Sequence, residues 1–166
     1  MPIEIDVPEA AVSDAAERLF AAADAARARV KCFDFVPSNY RMAWSVLSHL
    51  KQLLDSSPST PRLCEWGSGM GVVTGLAAIL QYRAVGIERD AELAALSREL
   101  LAAQALQATI VTLDMFESRE IADVYYAYGW ASQRPLIEDH FETTAPRDAF
   151  LVLCHGQSDL QIYQKN

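Results

Sequence analysis

The segment Leu63-Cys64-Glu65-Trp66-Gly67-Ser68-Gly69-Met70-Gly71 restricts the fold of this chain more than any other stretch. A short apolar run ends in three alternate glycines, and a helical apolar pattern follows. Glycine allows a tight turn with positive φ and lets a ligand lie directly against the backbone. A helix that begins there presents N–H groups with no intrahelical partner. A strand that turns through glycines into a helix is the opening unit of a ligand-binding α/β domain.

The chain beyond this turn continues the alternation. The pattern predicts strands over 62–66, 83–88, 108–113, 123–128 and 149–155, with a sixth over 160–164. Helices are predicted over 71–82, 91–107 and 133–144, and a short helix or turn over 116–122. Strands that alternate with helices make a mostly parallel sheet covered on both faces, a doubly wound α/β fold of Rossmann-like type. Its ligand site lies along the edge formed by the strand ends. Before the first strand, apolar residues at helical spacing (Val12, Ala15, Leu19, Phe20, Ala23) predict a helix over 8–30. A second helix is predicted over 38–55, with Ser38 as its cap. Residues 1–36 read as an N-terminal helical cap on one compact unit spanning 37–166.

The chain has 166 residues, enough for one domain with a core of its own. A formal charge of −8 gives it no overall attraction for nucleic-acid phosphates, and lysine and arginine never cluster. A nucleic-acid partner is not expected. The sequence contains no transmembrane-length apolar run. The N-terminus carries acids and no basic region of a signal peptide. Cys32, Cys64 and Cys154 are far apart and in no metal-like spacing. They read as thiols in a reducing compartment, the cytoplasm, and no metal site is expected.

Two details of the glycine turn narrow its ligand. The glycines stand at 67, 69 and 71, whereas a dinucleotide fingerprint needs its third glycine where Val72 stands. Glu65 precedes the first glycine by two residues. A carboxylate there repels a pyrophosphate and suits a ligand with a positive amino group. Glu65-Trp66-Gly67-Ser68-Gly69-Met70-Gly71 resembles the acid-x-Gly-x-Gly-x-Gly signature of the class I S-adenosylmethionine-dependent methyltransferases. Two further markers follow in order. Glu88 closes Ala84-Val85-Gly86-Ile87-Glu88, and Asp114-Met115 follows the third predicted strand. The resemblance covers about 37–155. It implies S-adenosylmethionine as cofactor, held by Glu65, Gly67, Ser68, Gly69, Gly71 and Arg89, by Glu88 at the ribose, and by Asp114 and Met115 at the adenine.

The acceptor side of such folds lies after the fourth strand, which reads Val124-Tyr125-Tyr126-Ala127-Tyr128-Gly129-Trp130 here. The Asn/Asp-Pro-Pro-Tyr motif of methyltransferases acting on amides and base amino groups is absent. Tyr128 and Trp130 are the candidate catalytic residues, offering π faces to a cationic acceptor or to the sulfonium. A shorter similarity, Val36-Pro37-Ser38 before a helix, is to the small lysine methyltransferases that include the one acting on the ATP-synthase c subunit. It implies that Pro37, Ser38 and Tyr40 lie near the cofactor. Together these imply methyl transfer to a protein side chain or a small molecule. Two alternatives stay open: a non-catalytic cofactor-binding module or partner subunit, and a dinucleotide-dependent oxidoreductase. The family fold ends in an antiparallel hairpin, and after His155 the sequence supplies only one more strand. Such an edge stays exposed, is covered in a homodimer, or marks a minimal variant.

Overall fold

The computed structural model describes residues 2–32 and 34–166. Among these residues six strands form one sheet in the order β3-β2-β1-β4-β5-β6. These are β1 (Arg62–Trp66), β2 (Arg83–Glu88), β3 (Ala108–Thr112), β4 (Val124–Tyr128), β5 (Phe150–His155) and β6 (Asp159–Gln164). The first five are parallel, and β6 runs antiparallel to β5. The order reverses between β1 and β4, so their C-terminal ends diverge and leave a crevice.

Side-chain alternation assigns the two faces. Val124 and Tyr126 of β4 join the core under α1 (Asp14–Ala26), α2 (Tyr40–Leu54), α3 (Val72–Ile79) and α4 (Ala91–Ala103). Tyr125 and Ala127 join a second core under α5 (Arg134–Thr144). The sheet thus carries four helices on one face and one on the other. Leu19 and Ala23 of α1 are buried in the same cluster as Leu47 of α2 and Leu76 of α3. No helix among the described residues is long and apolar enough to cross a membrane.

Several boundaries differ from the sequence expectation. The first helix begins at Asp14, because Ser13 takes the cap and accepts a hydrogen bond from Ala16 N. The stretch before it runs extended, with Ala10 N donating to Ser45 Oγ and Trp44 Nε1 donating to Ala11 O. The alanine content of 8–12 is overridden by these tertiary bonds. Helix α2 is capped by Asn39, not Ser38: Asn39 Oδ1 accepts from Met42 N at 3.1 Å. Helix α4 stops at Ala103, and Ala105 takes a left-handed φ of 54° before β3. The expected short helix over 116–122 contracts to a 3-10 turn, Met115–Glu117.

The one further strand expected after His155 forms, and it begins at Asp159. It folds straight back on β5 through residues 156–158 and supplies an antiparallel edge itself. Its outer side is met by the N-terminal segment, where Ile3 N donates to Ile162 O at 2.7 Å.

Candidate functional site

The glycine turn is shaped from both sides. Gly67, Gly69 and Gly71 all have positive φ (72°, 55° and 72°), a conformation that costs other residues about 1–2 kcal/mol. Gly67 N and Ser68 N both donate to Ile87 O at 2.9 Å, which fixes the turn to the end of β2. Gly71 caps α3, and a Cβ there would lie 2.1 Å from Ser97 Oγ of α4. Gly86 gives room for the turn to pass over β2, since a Cβ there would meet Thr74 Oγ1, Ile110 Cδ1 and Ser68 Cβ at 2.6–2.8 Å.

Two carboxylates flank the turn. Glu65 is 5% exposed, and its Oε2 accepts from both the backbone N–H (2.8 Å) and the hydroxyl of Thr74 in the first turn of α3. Its Oε1 takes no hydrogen bond among the described residues. Burial pushes this carboxyl up to about 8, against the lowering pull of the Thr74 bonds and with a further push from Glu88. Glu88 Oε2 accepts from Gly69 N at 2.8 Å and Oε1 from Asp90 N at 2.9 Å. Its carboxylate is thereby aimed by the glycine turn and by the start of α4. Asp114 Oδ1 accepts from Phe116 N at 3.0 Å and so fixes the 3-10 turn that follows β3.

These groups line one cleft along the C-terminal ends of β3, β2, β1 and β4. Glu65, Gly67, Ser68, Gly69, Glu88, Arg89, Asp114, Met115, Ser38, Tyr128 and Trp130 all border it. Gly71 does not; it serves the packing of α3 against α4. Tyr128 is half-buried, and its Oη accepts from Gly156 N at 3.1 Å. Trp130 is 45% exposed and meets Tyr128 edge to face, with ring centroids 6.2 Å apart. Ser38 lies in the cleft beside the buried Tyr126 phenol, whose pKa is driven well above its ordinary value chiefly by burial. Tyr40 stacks on Phe20 and is likewise raised by burial and then by Glu65.

Of the roof, sequence reasoning placed Pro37, Ser38 and Tyr40 near the cofactor, and all three border the cleft, but it missed Phe35. Phe35 lies on the glycine turn, so close that a Cβ on Gly69 would be 2.5 Å from its ring. Arg27 covers the same ring at 5.6 Å from its centroid. Phe116 and Gln133 also border the cleft. The only signal for Phe35 was an aromatic side chain in a connector just before Val36-Pro37, and nothing local says where that connector goes.

The cleft fits a cofactor with a ribose and a positively charged amino group. Glu88 offers two pre-aimed carboxylate oxygens, Gly67 leaves open space above its Cα, and Glu65 holds one uncommitted oxygen. Neither a family model nor a curated protein matches this sequence. Solved structures do match the fold. An RNA methyltransferase from Salinibacter ruber, in complex with S-adenosyl-L-homocysteine, aligns at TM-score 0.57 and 21% identity over 72% of this chain and 88% of that one. The O-methyltransferase TomG from Streptomyces achromogenes, in complex with S-adenosylmethionine, aligns at 0.60 and 18% over 86% of this chain and 66% of that one. An S-adenosylmethionine-dependent methyltransferase from Agrobacterium tumefaciens aligns at 0.61 and 12% over 75% of this chain, which spans 46% of its length. With its strand order and antiparallel last strand, the chain has the Rossmann-like fold of the class I methyltransferases.

Proposed function

We propose that this chain is an S-adenosylmethionine-dependent methyltransferase acting on a protein side chain or a small molecule. One observation carries the proposal: Glu65, Glu88 and Asp114, acids at the ends of three adjacent strands, border one cleft together with the glycine turn. Glu88 is the ribose-binding group, since a carboxylate accepts from two hydroxyls and its oxygens are already aimed by Gly69 N and Asp90 N. Asp114 and Met115 serve the adenine, and Glu65 the amino group. The structures in complex with S-adenosylmethionine or its product support the cofactor class.

When bound, the cofactor supplies an already activated methyl group. The protein then has to align the acceptor and exclude water. Tyr128 and Trp130 form the wall for this at the end of β4, with Phe35 and Pro37 as the cover. The net charge of −8 disfavours RNA as acceptor and favours a neutral or cationic one. One observation supports a second reading, cofactor binding without turnover: Tyr128, Trp130 and Gln133 offer no carboxylate, imidazole or amine as a base.

Calorimetric titration with S-adenosylhomocysteine, with NAD in parallel, tests the proposal. The expected result is binding of the homocysteine product alone. Glu88→Ala should weaken it about 100-fold, the loss of two hydrogen bonds to a charged group. A folded protein that takes NAD and not S-adenosylhomocysteine would make the chain a dinucleotide enzyme instead. Binding without methyl transfer to any fraction of a lysate would favour the second reading.

A further inference from the structure

The roof of the cleft is the strap 34–39, between the 3-10 turn Arg27–Arg29 and helix α2. It has few apolar anchors, and its residues are half-buried or exposed. It is fastened from the opposite side of the cleft by the turn that joins β5 to β6. Gln157 Nε2 donates to Pro37 O at 3.2 Å, and Asn39 Nδ2 donates back to Gln157 O at 2.9 Å. The same turn holds the acceptor wall: Gly156 N donates to Tyr128 Oη at 3.1 Å, and His155 Nδ1 meets Gly129 O at 2.9 Å. Roof and wall therefore share one support, a turn 118 residues from Asn39 in sequence.

We infer that Gln157 is a positioning residue, a latch through which the β5–β6 turn holds the strap over the glycine turn and ties it to the Tyr128 wall. The side chain of Gln157 is exposed and touches the cleft only through the strap, so its role is to set how often the roof lifts. With the latch made, Phe35 stays on Gly69. With it broken, the strap rests on the Phe35 contact with Gly69, the Arg27 stack and the Ser38 contact with Tyr126, and the cleft opens to solvent more often. Only the ligand part of this inference rests on the cofactor proposed above; the motion of the strap does not.

The molecule contains a reporter. Cys32 is half-buried at the cleft, next to the strap, whereas Cys64 and Cys154 are 0% and 1% exposed. In the folded protein an aromatic disulfide reagent therefore reads Cys32. Three nearly isosteric variants each delete one donor. Gln157→Glu and Gln157→Met keep the shape of the side chain, with and without charge, and Asn39→Asp keeps the cap on Met42 N. Each should raise the Cys32 labelling rate about 2- to 10-fold, the value of one exposed hydrogen bond, with an unchanged melting temperature. S-adenosylhomocysteine should leave these variants faster than the wild type by a similar factor. Unchanged labelling in all three overturns the latch, whatever the ligand does. Faster labelling with no S-adenosylhomocysteine binding to the wild type keeps the latch and overturns the cofactor reading.

Discussion

Ser97 and Phe35 both press on the glycine turn, Ser97 on Gly71 from below and Phe35 on Gly69 from above, and the two contacts are of different kinds. Below, α3 and α4 bury Val73, Leu76, Leu96 and Leu100 in the main core, and backbone bonds from Gly67 and Ser68 to Ile87 O fix the turn to the sheet. Above, among the described residues, the strap is kept by the Phe35 contact, the Arg27 cation–π stack, the Ser38 contact with Tyr126 and two hydrogen bonds to an exposed turn. A floor packed into the core moves only when that packing opens. A roof held by a few solvent-exposed bonds opens locally at small cost. A site that must admit a ligand and then cover it needs that difference.

The comparison breaks most easily at the floor. Gly71→Ala should destabilise the fold by about 2–5 kcal/mol, combining the cost of a left-handed φ with overpacking against buried Ser97. Gly67→Ala has the same φ and nothing within 4 Å of the new Cβ, so about 1–2 kcal/mol is expected. Denaturant unfolding of the pair measures the contrast. Equal losses would mean that the floor is no tighter than the open side of the turn.

A pH-dependent effect is expected from Glu65, which belongs to both regions: its Oε2 ties down α3 and its side chain faces the cleft. Its folded-state pKa, about 8, stands above the ordinary 4.5. The stability it contributes is therefore fully present below about pH 4.5 and fades as pH rises toward 8. Relative to Glu65→Gln, the ligand-free wild type should lose stability across that window, by at most about 1.4 kcal/mol per pH unit. A cationic group beside the carboxylate reverses its preference. Binding of S-adenosylhomocysteine near pH 7 should therefore release a proton, which calorimetry in buffers of different ionisation heat detects. A pH-independent difference between wild type and variant would mean that Glu65 is ionised in the empty cleft.

The smallest effect belongs to the rim. Trp130→Ala should change stability by about 0.5 kcal/mol or less, because the side chain is 45% exposed. S-adenosylhomocysteine affinity should stay within roughly twofold. A large loss of either would move Trp130 from the acceptor wall to the floor.

Much of the floor was legible in the sequence, because its determinants are local. A glycine triplet after an apolar run, and acids placed at predicted strand ends, bring Glu65, Glu88 and Asp114 to one edge once parallel strands are assumed. The core followed from the same periodicity. Gly71 shows the limit: local pattern groups it with Gly67 and Gly69, but its neighbour Ser97 comes from another helix. The cap on α2 shows another, since Ser38 and Asn39 are equally good caps by residue type and the strap decides between them.

The sequence by itself determined the doubly wound sheet, the turn between β1 and α3, and the line of acids along the strand ends. Each of these is written in short-range spacing, which fixes φ, face and order without distant partners. Only the tertiary structure decided that Phe35 covers Gly69, that Tyr128 is held by Gly156, and that Gln157 fastens Pro37 and Asn39. Those contacts join segments separated by up to 120 residues, and no local pattern encodes which loop meets which until the sheet has brought the chain ends together.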